Sequence, residues 1–253
     1  MRILSLALLA GAATFGSAQT GYIYVTDGDG GFGYTHILHG GGEIGSYQWA
    51  GSGEVPIVVT GSGANQAQYA GQGAIGHQYV GGIAVGTNNW NNGGINAYDA
   101  ATNGSSIFTV DWTSGVVKAW GMNYDGAGTA LFTAAAYDLG ITYDSRSGTL
   151  FTSNWGDGQI REWSMSGSLL ATWNYGAVES GALAYDSTDD TLWFKDNGGN
   201  RMDQIDPNTG AYLGGYSYTP YVLGGEAQAV PEPMTLAALG MGCLVALKRR
   251  KKA

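Results

Sequence analysis

Ile107-Phe108-Thr109-Val110-Asp111-Trp112-Thr113-Ser114-Gly115-Val116-Val117-Lys118-Ala119-Trp120 returns forty-three residues later as Leu150 to Trp163. The match places Phe151, Thr152, Trp155, Gly158, Ile160, Arg161 and Trp163 opposite like residues, and a third copy follows with Leu192, Trp193, Asn197 and Gly198 near the same places. An aromatic-acid pair precedes each copy: Tyr98-Asp99, Tyr143-Asp144 and Tyr185-Asp186. Within one copy, Leu139 to Tyr143, Thr149 to Asn154, Gln159 to Ser164 and Ser168 to Trp173 read as four short strands, with reversals at Asp144 to Gly148, Gly156-Asp157-Gly158 and Met165-Ser166-Gly167. Four antiparallel strands in about forty-two residues make one propeller blade; helical repeats of that length would need long 3.6-periodic segments with far less glycine.

Working outward, Tyr22-Ile23-Tyr24-Val25-Thr26 stands two periods before Ile107, so the repeat extends to the start of the body. About 210 residues of body at one blade per period give an all-β propeller of about five four-stranded blades, large enough to bury a single core. The first blade lacks a strand, and the reading has it supplied from within Tyr212 to Val222, closing the ring. Glu54 to Gln78 fits no blade cleanly, and a β-solenoid or a sandwich with two long hairpins would also accommodate it. The 44 glycines among 253 residues, with only 12% charged residues and abundant Tyr, Trp, Thr and Asn, fit strands and turns rather than helices.

The ends of the chain have a different composition. Arg2, the apolar stretch Ile3 to Ala13 and the small residues Gly16-Ser17-Ala18 form a signal peptide over residues 1–18, with cleavage expected after Ala18. At the other end, Val230-Pro231-Glu232-Pro233 precedes the apolar run Met234 to Leu247 and then Lys248-Arg249-Arg250-Lys251-Lys252. The apolar run would span roughly 21 Å as a helix, short of the roughly 30 Å hydrocarbon core, so it is a marginal membrane anchor. The basic cluster would stay on the cytoplasmic side and leave the body outside. Two prolines keep the triad extended, the backbone that a processing enzyme can grip.

This tail, spanning 226–253, resembles the PEP-CTERM sorting signal, and the resemblance implies processing by an exosortase and an extracellular, exopolysaccharide-rich setting. The body, 19–225, carries Gly140-Ile141-Thr142-Tyr143-Asp144 with Gly148-Thr149-Leu150-Phe151 and Asn154, and so resembles the blades of NHL-type and lyase-like propellers of exported bacterial proteins. That resemblance covers Ile95 to Leu213 and implies an architecture rather than an activity.

Between Gln19 and Ala229 stand five cations (Lys118, Arg146, Arg161, Lys195, Arg201) and nineteen carboxylates, a balance of −14. A basic nucleic-acid patch is thereby excluded. Cys243, the single cysteine, lies in the tail, which removes disulfides, a thiol nucleophile and thiolate metal ligands from the body. No cofactor is expected. Asp27 and Asp29 are a candidate calcium pair, although Gly31 and Leu38 stand where an EF-hand loop needs further ligands. Asp186, Asp189, Asp190, Asp196 and Asp203 form the densest acidic cluster, and read as solvated turn residues or, if two of them stand about 5 to 9 Å apart, as an acid and base for glycoside cleavage. His36, His39 and His77 have no glutamate at metal-site spacing. Trp112, Trp155 and Trp193 either fill the core or stack on sugar rings.

The sequence therefore points to a non-enzymatic surface or matrix protein, sorted by an exosortase and held by its tail before processing. Its body would bind polysaccharide or protein. The alternative is an exported lyase or hydrolase with its site in the central channel, marked by a histidine and two carboxylates converging there.

Overall fold

The computed structural model describes residues 21–228 apart from 29–30, 62, 68–75, 89–95, 126 and 177–178. Residues 1–18, expected to be a signal peptide, the Val230–Pro233 motif, the apolar run and the basic tail lie outside the described residues, as does Asp29. Within them the chain is all-β, in five four-stranded antiparallel sheets.

The first sheet holds β1 (Ile23–Asp27), β2 (Tyr34–His39) and β3 (Gly42–Gln48). The second holds β4 (Ile57–Thr60), β5 (Gly63–Gln66), β6 (Gly76–Val80) and β7 (Ile83–Asn88). The third holds β8 (Ala100–Thr102), β9 (Ile107–Val110), β10 (Val116–Trp120) and β11 (Thr129–Thr133). The fourth holds β12 (Asp138–Asp144), β13 (Thr149–Asn154), β14 (Gln159–Trp163) and β15 (Leu169–Asn174). The fifth holds β16 (Ser180–Asp186), β17 (Thr191–Asp196), β18 (Arg201–Ile205) and β19 (Tyr212–Ser217). Finally β20 (Val222–Ala227) pairs with β1, opposing Ile23 to Ala227 and Val25 to Gly225, and completes the first sheet. The inner strands β4, β8, β12, β16 and β20 neighbour one another in a closed ring, which makes the sheets blades of a five-bladed propeller.

Three expectations need correction. The closing strand is β20, whereas Tyr212–Ser217 forms the outer strand of blade five. The stretch around Glu54 to Gln78 is not an exception to the repeat but carries β4, β5 and the start of β6. Finally, Tyr98-Asp99 is not the equivalent of Tyr143-Asp144 and Tyr185-Asp186: those pairs end β12 and β16, whereas Asp99 precedes β8. The pairing followed residue identity where the backbone register runs four residues out of step: Tyr143-Asp144 correspond to Thr102-Asn103.

Each blade packs its face against the next. Ile23, Val25 and Leu38 of blade one meet Ala182, Ala184, Trp193 and Met202 of blade five. Phe151 and Ile160 meet Leu192, Phe194 and Ile205 at the fourth seam, and Phe108 and Val117 meet Ile141 and Leu150 at the third. Burial falls from the centre outward: β13 and β16 are buried throughout, while β15 and β19 are largely open to solvent. The recurring Thr and Trp of the repeat form an internal tie, because the indole N–H of Trp120 donates to Thr109 Oγ1 and that of Trp163 to Thr152 Oγ1, both at 2.9 Å.

Inner strands have one edge without a strand partner, so their amides need acceptors in the bore. Asp99 supplies them. Its carboxylate accepts the amides of Ala100 (2.9 Å), Ile141 (3.0 Å), Leu183 (3.2 Å) and Gly225 (2.7 Å). The last three lie 42, 84 and 126 residues downstream, the same place in three other blades. Burial pushes this carboxyl well above the usual carboxylate range, against the pull of its amide donors.

Glycine lets the inner strands close this tightly. A Cβ on Gly140 would lie 2.6 Å from the Gly181 carbonyl oxygen, and one on Gly181 only 2.3 Å from that of Val222.

Asp99→Ala strips the acceptor from three amides on other blades. At about 1–3 kcal/mol for each buried donor left unpaired, the ring should lose about 3 kcal/mol or more in urea unfolding, and Asp99→Asn, keeping one acceptor oxygen, should lose less. Equal and small losses for the two variants would contradict this role.

Candidate functional site: the aromatic face of the ring

Loops joining second to third strands, and loops joining one blade to the next, emerge on the same face of an antiparallel propeller. Here called the upper face, it is where the repeat places Trp112 and Trp155, each one residue beyond a polar clamp. Asp111 Oδ1 accepts the Ser114 amide and hydroxyl, both at 2.7 Å, and its Oδ2 accepts the Asn96 amide at 2.6 Å. The equivalent Asn154 accepts the amides of Gly156 and Asp157 at 3.0 Å and donates to the carbonyl of Ala136 at 2.9 Å. In blade five the work is divided: Asp196, at the Asn154 position, accepts the Gly199 amide at 2.9 Å, while Asn197 donates to the carbonyls of Glu179 and Val222. Each clamp ties a turn to the preceding inter-blade loop, so the residue after it has a fixed position.

The backbone then zips across blades. The Trp112 amide donates to Asn96 O, the Tyr137 amide to Trp112 O and the Trp155 amide to Tyr137 O, at 2.7–2.9 Å. Tyr137 adopts the left-handed region, with φ of 67°, and its ring is 53% exposed. Tyr98 and Tyr137 both meet Trp112 edge-on, at centroid distances of 6.1 and 5.4 Å, and Tyr221 meets Trp155 at 6.0 Å. Beneath these rings lie Trp49, Val55, Leu139 and Leu223, which are buried and cap the mouth of the bore. Tyr98, Trp112 and Trp155 are half-buried and Tyr221 is 45% exposed. Burial and the nearby Glu179 raise the Tyr221 phenol above its ordinary value, so it remains a hydrogen-bond donor.

Trp193 is not part of this layer. It lies within β17 opposite Ala184 and Gln204, 2% exposed, in the seam between blades five and one. It aligns structurally with Phe151, while the Trp155 position in blade five is Asn197. Tyr137 and Tyr221 are members that the repeat does not single out, since they stand in loops that match no copy, and the repeat picks out Tyr98 only as a mispaired counterpart of Tyr143.

The remaining candidates are in closed local networks. Asp186 accepts the Gly21 amide at 2.7 Å, Asp190 accepts the Tyr185 hydroxyl at 2.7 Å and pairs with Arg146, and Asp203 accepts from Arg201 and Tyr212. His77 and the Tyr79 hydroxyl both bond the buried Glu54 carboxylate, which burial raises above its ordinary range. Among the described residues no group of three His, Cys, Asp or Glu side chains is arranged to hold a metal.

All three histidines stand on third strands, away from the bore. His36 has Asp27 Oδ1 at 2.9 Å from Nε2 and Glu43 Oε2 at 3.1 Å from Nδ1. Asp27 also accepts the Tyr34 amide at 2.7 Å, so the candidate calcium ligand is already engaged.

No family model matches the chain, and no curated protein does. Solved structures share its fold. A chain of the nidogen/laminin complex superposes with a TM-score of 0.53 at 12% identity, over 81% of this chain and 97% of that one. Glutaminyl cyclase of Myxococcus xanthus gives 0.50 at 15% identity, over 72% and 77%. Virginiamycin B lyase of Staphylococcus aureus gives 0.47 at 14%, over 77% and 68%. At these identities the likeness is one of fold. The first belongs to a nidogen/laminin complex and the second is an enzyme, so the fold leaves activity open.

Burial lowers the His36 pKa, but its bonds to Asp27 and Glu43 outweigh that and leave it above its ordinary 6.5. A group whose folded value is raised stabilises the fold below its unfolded pKa and loses that contribution as pH rises through the folded value. Stability should fall slightly from about pH 6 to pH 8, by less than about 1 kcal/mol for such partly exposed partners, and His36→Gln should flatten the slope in urea unfolding.

Proposed function

We propose that the chain is an exported surface or matrix protein whose propeller binds polysaccharide across its upper face. The observation that carries the binding reading is the layer of Tyr98, Trp112, Tyr137, Trp155 and Tyr221. These rings come from loops spread around the ring of blades, are partly open to solvent, and rest on an apolar base that holds them in place. Sugar rings present apolar C–H faces that stack on such aromatics, while surrounding phenols satisfy their hydroxyls. The body's negative charge suits a neutral or cationic polymer and disfavours a polyanion.

The sorting half of the proposal rests on the sequence of the tail. Pro231-Glu232-Pro233, the apolar run and the basic cluster Lys248 to Lys252 together match what an exosortase substrate presents. The tail would hold the protein at the membrane until cleavage near the triad, after which the body would be released or displayed.

The enzyme alternative requires chemistry in the bore. There the Asp99 carboxylate is engaged by four amides, and glycine and alanine bring the inner strands close. His36, with its two carboxylate neighbours, sits on a third strand instead. These features favour a binding role.

Trp112→Ala and Trp155→Ala should each weaken binding of the full-length protein to polysaccharides captured in a glycan array by about 2 kcal/mol, roughly thirtyfold, with unfolding midpoints little changed. Tyr175→Phe, on the flank of the ring, should bind normally. Absence of any glycan signal for the unaltered protein would defeat the polysaccharide reading. Separately, mass spectrometry of envelope and secreted fractions should show a C-terminus near the triad that is lost in Glu232→Ala. An identical mature C-terminus in both would remove the exosortase.

A further inference from the structure

The opposite face of the ring carries a second, unrelated concavity. Loops joining first to second strands surround the lower mouth of the bore, where residues of all five blades enclose a cavity of about 280 Å³. Its walls include Val59, Met122 and Ala227, the rings of Tyr143 and Tyr185 from equivalent positions of blades four and five, and Glu226. No Lys, Arg or His is among the lining residues.

Glu226 stands on the inner strand β20 and is 5% exposed, and its Oε2 is buried without a hydrogen-bond partner among the described residues. An unpartnered buried carboxyl oxygen is destabilising, and a ligand supplying a donor would recover that loss. Burial holds the group well above the usual carboxylate range, Asp99 deeper in the bore raises it further, and the Thr102 amide pulls it down. The other ionisable groups around it are the phenols of Tyr24, its cross-strand neighbour on β1, and of Tyr124, Tyr143 and Tyr185, none of them a counter-ion.

A body with a charge balance of −14 creates a potential that favours a cation over a neutral guest. The walls favour a guest with an apolar stem and an exposed positive end, since aliphatic surface suits hydrocarbon and tyrosine rings attract ammonium groups. The cavity lies below the roughly 300–1,000 Å³ of drug-sized pockets, which restricts it to a stem of about four or five carbons.

We propose that this lower-face cavity binds a primary aliphatic ammonium group, with the Glu226 carboxylate as its counter-ion and the Tyr143 and Tyr185 rings along its side. The chemistry is shared by small free amines and by the lysine side chain of another protein. The pairing needs Glu226 as a carboxylate and the guest as an ammonium, so binding weakens once pH rises past the amine's own pKa of about 10.4.

Isothermal titration of the full-length protein with n-butylammonium, 1-butanol and Nα-acetyl-lysine N-methylamide tests this. Butylammonium should bind with a Kd on the order of 1 mM or tighter, at least tenfold better than butanol. Glu226→Gln, which keeps the shape of an uncharged acid, should lose at least tenfold in affinity, and Ser187→Trp, which blocks the rim, should abolish binding. Binding of the lysine derivative as well assigns the site to protein side chains; its exclusion while butylammonium binds assigns it to free amines. Butanol binding as tightly as the amine, an unaltered Glu226→Gln, or no heat at about 10 mM ligand overturns the proposal. Glycan binding by the upper face is unaffected by any of these outcomes.

Discussion

A closed ring of sheets has to satisfy the inner edges of its central strands without water or a further strand. In this propeller one carboxylate does much of that. Asp99 accepts amides from β8, β12, β16 and β20, binding four of the five blades at a shared depth in the bore. The contact needs the blades to have the same length, because three of the amides stand at multiples of one period from the acid. It also needs inner strands slim enough to bring those amides within about 3 Å, hence Gly140, Gly181, Gly224 and Gly225, where added side chains would run into neighbouring strands. The period, the glycines and the acid are therefore parts of one arrangement.

The blade pattern was legible where the repeat carries large, spaced side chains. Thr109 with Trp120 and Thr152 with Trp163 recur because each pair makes the same internal bond, so the alignment of blades three and four followed real register. Blade two was opaque for the converse reason. Its outer strand β7 is almost wholly exposed, so it lacks the alternation that marks a half-buried strand, and its core at Ile57, Val59, Ala64 and Tyr79 packs on Tyr24 and Tyr47 of blade one. Those partners are distant in sequence, and no local window reports them. Trp193 misled because one aromatic can fill a seam as well as another; it replaces Phe151 rather than Trp155.

The aromatic face was half legible. Trp112 and Trp155 follow the clamps Asp111 and Asn154 at a fixed step, and the repeat picks them out. Tyr98, Tyr137 and Tyr221 come from inter-blade loops whose lengths and residues vary, and they join the layer through backbone bonds and a left-handed turn at Tyr137 that sequence does not announce. Asp99 and Glu226 were hidden more deeply: their roles depend on what other blades present to the bore. An aromatic layer on one mouth and a buried acid beneath the other give the two ends of the ring different chemistry, separated by the Asp99 contact.

Strand β1 is made early and its inner partner β20 last among the body's strands, so the two ends of the ring meet only after everything between them has formed. Until that meeting β1 presents an open sheet edge, the kind that recruits stray strands, and its seam with blade five is unsealed. For a chain delivered from its N-terminal side, completion is timed by its closing segment: a partly delivered body is a horseshoe, vulnerable to proteases and to mispairing, and it becomes a ring in one step.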